Sequence, residues 1–394
     1  MKRLRVGGFI GLTLILLGVA VVCFCVFRPK LNETSSNGAA SSIEPDPSPS
    51  SAQMRVLFTG TTFWGRRTNK KARASELGVT YPFSQLDTMH REDYDSWIGG
   101  LECPVTDNGH DDYAEEEIFE FNCDPDYLPE ASKYFTAFLL GNNHTDNQGP
   151  EGFAKTKEYL QENGIQYFGS YEYYDGENNC GVLVLPVNVS YSNGNTEKHK
   201  LPIGFCSAHG VFGIPTEANR ANVEKYAQAM PTVVMPHMGA EYKDSADTLR
   251  ENLYHEYINR GADAVIGDHP HWIQNAEAYN GRLIVYSMGN FMFDQATTET
   301  ARSATIDAKI SIDVDGVDFE AWDKVSAQCE ELNGDCYDEV VDSGLERLKL
   351  TWKYDYHGTT TDPTTLIPHL ANDAENAAIG HRLNWSSIPS ELKQ

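Results

Sequence analysis

Basic side chains are scarce in this sequence: 31 Lys and Arg stand against 57 Asp and Glu, a formal charge of −26. So acidic a surface repels a phosphate backbone, which excludes nucleic acid as a partner. Cysteine is thin as well, eight in 394 residues, and no CxxC spacing occurs that would build a zinc knuckle. No internal repeat is visible. Long apolar runs are lacking too, with one exception at the amino end.

That exception is Val6–Phe27, uncharged and flanked by Lys2, Arg3 and Arg5 on one side and Arg28 and Lys30 on the other. Its 22 residues are enough to cross a bilayer as a helix. No small-x-small cleavage site precedes the second flank, and Val22 stands where lipidation at Cys23 would want a small residue. The expectation is an uncleaved signal-anchor over 1–30, cytoplasmic at Lys2, Arg3 and Arg5, which makes this a single-pass membrane protein with an extracytoplasmic carboxyl-terminal domain. Residues 31–52, rich in Ser, Pro, Asn and Gly, read as a flexible stalk, and 53–394 as the folded domain. Six cysteines lie beyond the anchor, which permits three disulfides in about 15 pairings; Cys329 and Cys336, across an Asn-Gly turn, are the expected pair. An acidic stretch, about 315–345, is expected as a surface insertion, and little periodicity is visible beyond Tyr356.

The chain repeats one grammar. A short apolar strand delivers polar, ligand-type residues at its carboxyl end, the edge where open α/β sheets bind ligands. Met54–Thr59 leads to Gly60-Thr61, and Trp97–Leu101 to Glu102. Phe135–Leu140 leads to Asn143 and His144, Thr232–Met235 to His237, and Ala264–Ile266 to Asp268, His269 and His271. Each group alone has an ordinary alternative as a cap or surface side chain. Imidazoles, a carboxylate and an amide recurring at one structural position point instead to a shared site for Zn²⁺, Mn²⁺ or Fe.

The blocks GTTFWGR, GLECPVTD, GNNHTDNQG, PHMGAEY and GDHPHW with YSMGNFMFD, in this order over about Met54–Thr305, resemble the bacterial capsule-synthesis CapA family, also called the poly-γ-glutamate synthesis protein family. The resemblance implies a metallophosphoesterase-like α/β fold, a four-layer α/β/β/α sandwich preceded by one transmembrane helix. It further implies a role in making or exporting an envelope polymer, with that polymer or its precursor, the membrane and other subunits of a synthase complex as partners. By the same match Glu102, Asn143, His237, His269 and His271 are metal ligands for one or two divalent transition metal ions. His144 is the catalytic histidine, which contacts the phosphoryl group or protonates a leaving oxygen. Thr61, Arg66, Asp268, Asn290 and Asp294 line the pocket, Arg66 being a candidate to meet an anion.

Two departures stand out. Gly60-Thr61 replaces the family's Gly-Asp, so the first metal position loses its carboxylate, and Gly100-Leu101-Glu102 replaces Asn-Leu-Glu. Three readings stay open: one metal held by Asn143, His237, His269 and Glu102; Asp268 as a substitute carboxylate; or a binding or scaffolding protein without turnover.

Overall fold

The structure is a computed structural model that describes residues 47–107, 119–172, 174 and 178–394. The expected signal-anchor and the stalk as far as residue 46 lie outside the described residues. Among those described, no helix is long and apolar enough to cross a membrane.

The fold is mixed α/β and turns on one strand, β1 (Pro49–Thr62). Three strands follow it in parallel register, β2 (Ser96–Leu101), β3 (Ala137–Leu139) and β4 (Gln166–Phe168). The next six are β5 (Cys180–Tyr191), β6 (Thr196–His209), β7 (Thr232–His237), β8 (Ala264–Ile266), β9 (Ala276–Tyr279) and β10 (Arg282–Val285). They run in the order β5-β6-β7-β8-β10-β9 and join β1 through β5. β11 (Asn290–Met292) pairs with the end of β1, while β12 (Arg302–Ile312), β13 (Leu350–Thr361) and β14 (Pro368–Leu370) extend from its other edge as antiparallel neighbours.

One edge of β1 is therefore shared: Pro49 to Gln53 pair with β5, and Val56 to Thr62 pair with β2. The hydrogen-bonded sheet branches there, and the strand begins at Pro49 rather than at Met54 because β5 supplies partners for those extra residues. Side chains alternate across a strand, so β1 feeds two cores. Met54, Val56 and Phe58 enter the larger core with Ile98, Ala137 and Leu139, against apolar side chains of β5 and β6. Leu57, Phe63 and Trp64 enter the second with Trp97 and Phe138. Strands buried on both faces read as continuous apolar runs, as FTAFLL does.

Helices cover these faces. Gly149–Glu162 opens with Pro150 in its first turn, and Glu217–Ala229 opens on a capping box between Thr216 and Asn219. The acidic stretch 315–345 is not a surface insertion. It forms the helices Phe319–Glu331 and Tyr337–Asp342, and Phe319, Trp322, Val325, Cys329 and Val340 are buried in the larger core. Its acidic residues occupy the outer face of an amphipathic helix, which composition alone does not separate from a loop. The end of the chain is ordered as well: Asn372 caps a helix at Asp373–Arg382, and Ile379, Leu383, Trp385 and Ile388 pack into the same core.

Among the described residues three disulfides form, Cys103–Cys123, Cys180–Cys206 and the expected Cys329–Cys336. Cys180 and Cys206 face each other directly across β5 and β6.

Candidate metal centre

The parallel strands on the two sides of the branch end in one place. Glu102 follows β2, Asn143 follows β3, His237 closes β7, and His269 follows β8. His237 Nε2 lies 2.9 Å from Asn143 Oδ1, 3.2 Å from His269 Nδ1 and 3.7 Å from Glu102 Oε1. The ligand atoms of Glu102, His237 and His269 all lie within 4.8 Å of one another. His237 Nδ1 donates to Asp268 Oδ1 at 2.7 Å, so in the neutral ring Nε2 carries a lone pair. The Nε2 lone pair of His237, a carboxylate oxygen of Glu102 and the amide oxygen of Asn143 then converge with His269 Nδ1 on a small buried space. A cation would draw these acceptors together.

The electrostatics agree. Burial disfavours the charged ring of His237, but Asp268 and Glu102 outweigh it and push the group up to about 9. Burial also disfavours ionised Glu102, yet His271, His237 and His144 hold its carboxyl well below the usual range. His269 is driven well down by burial and then by His237 and His271. In the metal-free centre a proton held on His237 Nε2 occupies the point where a cation would sit.

Glu102 supplies the sharpest test of fit. It is 1% exposed, and neither carboxylate oxygen has a hydrogen-bond partner. The imidazoles at 3.7 and 4.0 Å offset its charge without a hydrogen bond, and a divalent cation would supply the direct partner that a buried carboxylate needs. The donor set of two imidazoles, a carboxylate and an amide oxygen fits Zn²⁺, Mn²⁺ or Fe.

The remaining expected residues surround this cluster in different ways. His144 Nε2 lies 4.0 Å from Glu102 Oε1, and its Nδ1 bonds to Asn147 Oδ1 at 2.9 Å. Burial lowers its pKa, against the pull of Glu102. At 15% side-chain exposure it faces the opening more than the ligands do. His271 sits one ring further out, 6.1 Å from His269 between centroids, with Nδ1 bonded to Asn290 Oδ1 at 2.8 Å. Asn290 is thus the group that orients His271. Thr61 Oγ1 donates to Asp268 Oδ2 at 3.4 Å.

Arg66 does not present itself to an anion. Its Nε and Nη2 both bond to Asp294, and its guanidinium lies 4.5 Å from the Phe121 ring centroid, with Phe63 and Phe293 close by. The pair is buried and close to neutral, and Asp294 is spent on it rather than on the pocket.

Four residues around the site hold positive φ: Arg66 at 42°, Tyr242 at 58°, His269 at 97° and His271 at 58°. Each costs on the order of 1 kcal/mol or more, which the surrounding packing must overcome. Pro270 therefore stands between two strained histidines that are held by their contacts.

Sequence reasoning missed His209 and Phe121. β6 runs to His209 and pairs it in register with His237. His209 Nδ1 donates to Tyr171 O at 2.6 Å, and burial with His237 lowers its pKa to about 4. Ala208-His209-Gly210, a histidine before a glycine at the end of an apolar run, was the available signal. Phe121 had none, because it meets His144 only once separate segments of the chain have packed together.

Comparison with known proteins shows the family. A capsule biosynthesis protein CapA from Bacillus anthracis is 28% identical over 273 residues, covering 64% of this chain and 63% of that protein. The PGA biosynthesis protein CapA of Bacillus subtilis is 27% identical over 262 residues, covering 64% and 67%. About a third of each relative lies outside the match. Among solved structures, a Staphylococcus aureus protein described as a 5'-nucleotidase, in complex with α-ketoglutarate, covers 70% of this chain and 58% of its own at 13% identity and a TM-score of 0.38. That score is too low to bear on the site. The family described as bacterial capsule synthesis protein PGA_cap matches residues 55–295, the span that holds every candidate ligand named above, and the chain belongs to that family.

Proposed function

We propose that this chain takes part in the synthesis or export of a capsular or envelope polymer such as poly-γ-glutamate, through metal-dependent phosphoester hydrolysis. The names of the two relatives support the polymer. The observation that carries the chemistry is Glu102, buried with neither oxygen hydrogen-bonded and set opposite His237 and His269. In this reading the domain is a four-layer α/β/β/α metallophosphoesterase-like sandwich, held outside the membrane by a signal-anchor over 1–30. Three disulfides suit an oxidising extracytoplasmic compartment.

Glu102, Asn143, His237 and His269 would hold the cation, with His271 next to them. A divalent ion there supplies Lewis acidity toward a phosphoryl oxygen and lowers the pKa of water. Asp268 keeps the proton of His237 on Nδ1. Asn147 accepts the Nδ1 proton of His144, which leaves Nε2 turned toward the centre to hand a proton to or take one from a substrate oxygen. The polymer, its precursor and neighbouring synthase subunits are the partners.

The full-length chain in detergent with Mn²⁺ or Zn²⁺ should hydrolyse p-nitrophenyl phosphomonoesters or diesters, and His237→Ala should abolish the activity. Hydrolysis equal in wild type and His237→Ala would overturn the proposal. Thr61 favours a second reading, a non-catalytic scaffold or binding subunit of a synthase complex, since its hydroxyl leaves one metal position without a carboxylate. That reading predicts bound metal, no turnover with any ester, and no effect of His144→Ala on polymer output.

A further inference from the structure

Asp268 is buried, yet it is not one of the groups that converge on the cation position. Its Oδ1 accepts from His237 Nδ1 at 2.7 Å and its Oδ2 from Thr61 Oγ1 at 3.4 Å. The backbone holds it there, because Asp268 N donates to Pro236 O at 3.0 Å and links the loop to β7. The carboxylate needs room at the ends of β1 and β2, and Gly100 provides it: a Cβ on Gly100 would overlap Asp268 Oδ2. Three positions far apart in sequence are thus fitted to each other, a hydroxyl at 61, a bare Cα at 100 and a carboxylate at 268. A carboxylate at 61 would confront Asp268 in the same buried space, and two such charges repel unless one is protonated.

We propose that Asp268 is a positioning carboxylate that makes this a one-cation centre. It fixes His237 as the Nδ1–H tautomer with Nε2 aimed at the cluster, and it fills the space beside Thr61 that a ligand carboxylate for a second cation would need. Carboxylates that orient a ligating histidine in this way commonly contribute 10- to 100-fold to metal affinity. The inference rests on the reading of Glu102, Asn143, His237 and His269 as ligands.

The test is titration of the chelator-stripped, full-length chain with Co²⁺ alone, followed by calorimetry and by the visible d–d bands, which report coordination geometry. Wild type should bind one Co²⁺ per chain. Asp268→Ala should bind about 10- to 100-fold more weakly with shifted bands, and Asp268→Asn, whose amide oxygen still accepts from Nδ1, should recover most of the affinity. Gly100→Ala pushes the carboxylate aside and should weaken binding in the same sense, so the contact is read even where Asp268→Ala does not fold. Two Co²⁺ per wild-type chain, or undiminished affinity in Asp268→Ala or Gly100→Ala, overturns the inference and leaves the metal reading standing. A wild type that binds no Co²⁺ overturns the metal reading itself and the inference with it.

Discussion

The phenyl ring of Phe121 lies face to face on the imidazole of His144, with centroids 3.8 Å apart and planes 16° from parallel. Its backbone N–H also donates to Asn147 Oδ1 at 2.8 Å, the atom that takes the Nδ1 proton of His144. Cys123 ties this segment to Cys103, the neighbour of Glu102. Phe121→Ala should therefore lower ester turnover by about tenfold or more while leaving the metal content per chain unchanged. Parallel measurement of kcat and bound metal checks it, and loss of metal in step with turnover would contradict it.

Binding of a cation must displace the proton of His237, whose pKa stands at about 9. The group is raised, so the proton is fully bound well below that pH and competes most strongly there. Apparent affinity for Zn²⁺ or Co²⁺ should rise roughly tenfold per pH unit up to about pH 9 and then flatten. Calorimetry in buffers of different ionisation enthalpy should find about one proton released per cation.

Away from the site, Asp307 accepts from Arg55 Nη2 at 2.6 Å and from Nε at 3.0 Å. Burial raises its pKa, but His357, Arg55 and Gln394 outweigh that and lower it to about 2. A depressed acid stabilises the fold above its unfolded pKa and loses the contribution as pH falls through the folded one. Asp307→Asn should cost roughly 2 kcal/mol at neutral pH, and the gap to wild type should close between about pH 4 and pH 2. Urea unfolding across that range checks it.

Trp322 is buried under the acidic helix Phe319–Glu331. If this helix is part of the core, Trp322→Ala should destabilise the protein by about 3–5 kcal/mol, read as a lower urea midpoint. A surface insertion would lose well under about 1 kcal/mol.

Much of this was legible in the sequence for a simple reason. Strand ends such as those before Glu102, Asn143, His237 and His269 are marked by an apolar run that stops at polar, loop-forming residues, and the chemistry sits at the stop. What stayed hidden depends on long-range fit. Arg66 and Asp294 are 228 positions apart, so nothing local tells that they neutralise each other. The space that Gly100 leaves for Asp268 exists only once β1, β2 and the loop after β8 are packed. The helix over Phe319–Glu331 was hidden by its own outer face, where charge masked an apolar stripe facing β5 and β6.

The central claim is that Glu102, Asn143, His237 and His269 hold a divalent cation. Its most direct test is the shift in melting temperature of the chelator-stripped, full-length chain on adding Zn²⁺ or Mn²⁺, compared with Glu102→Gln. A cation that binds only the folded state raises stability by about 2.7 kcal/mol at a hundred times its Kd. Wild type should show a clear upward shift and Glu102→Gln little or none; equal shifts in both, or no shift in wild type, would contradict the account.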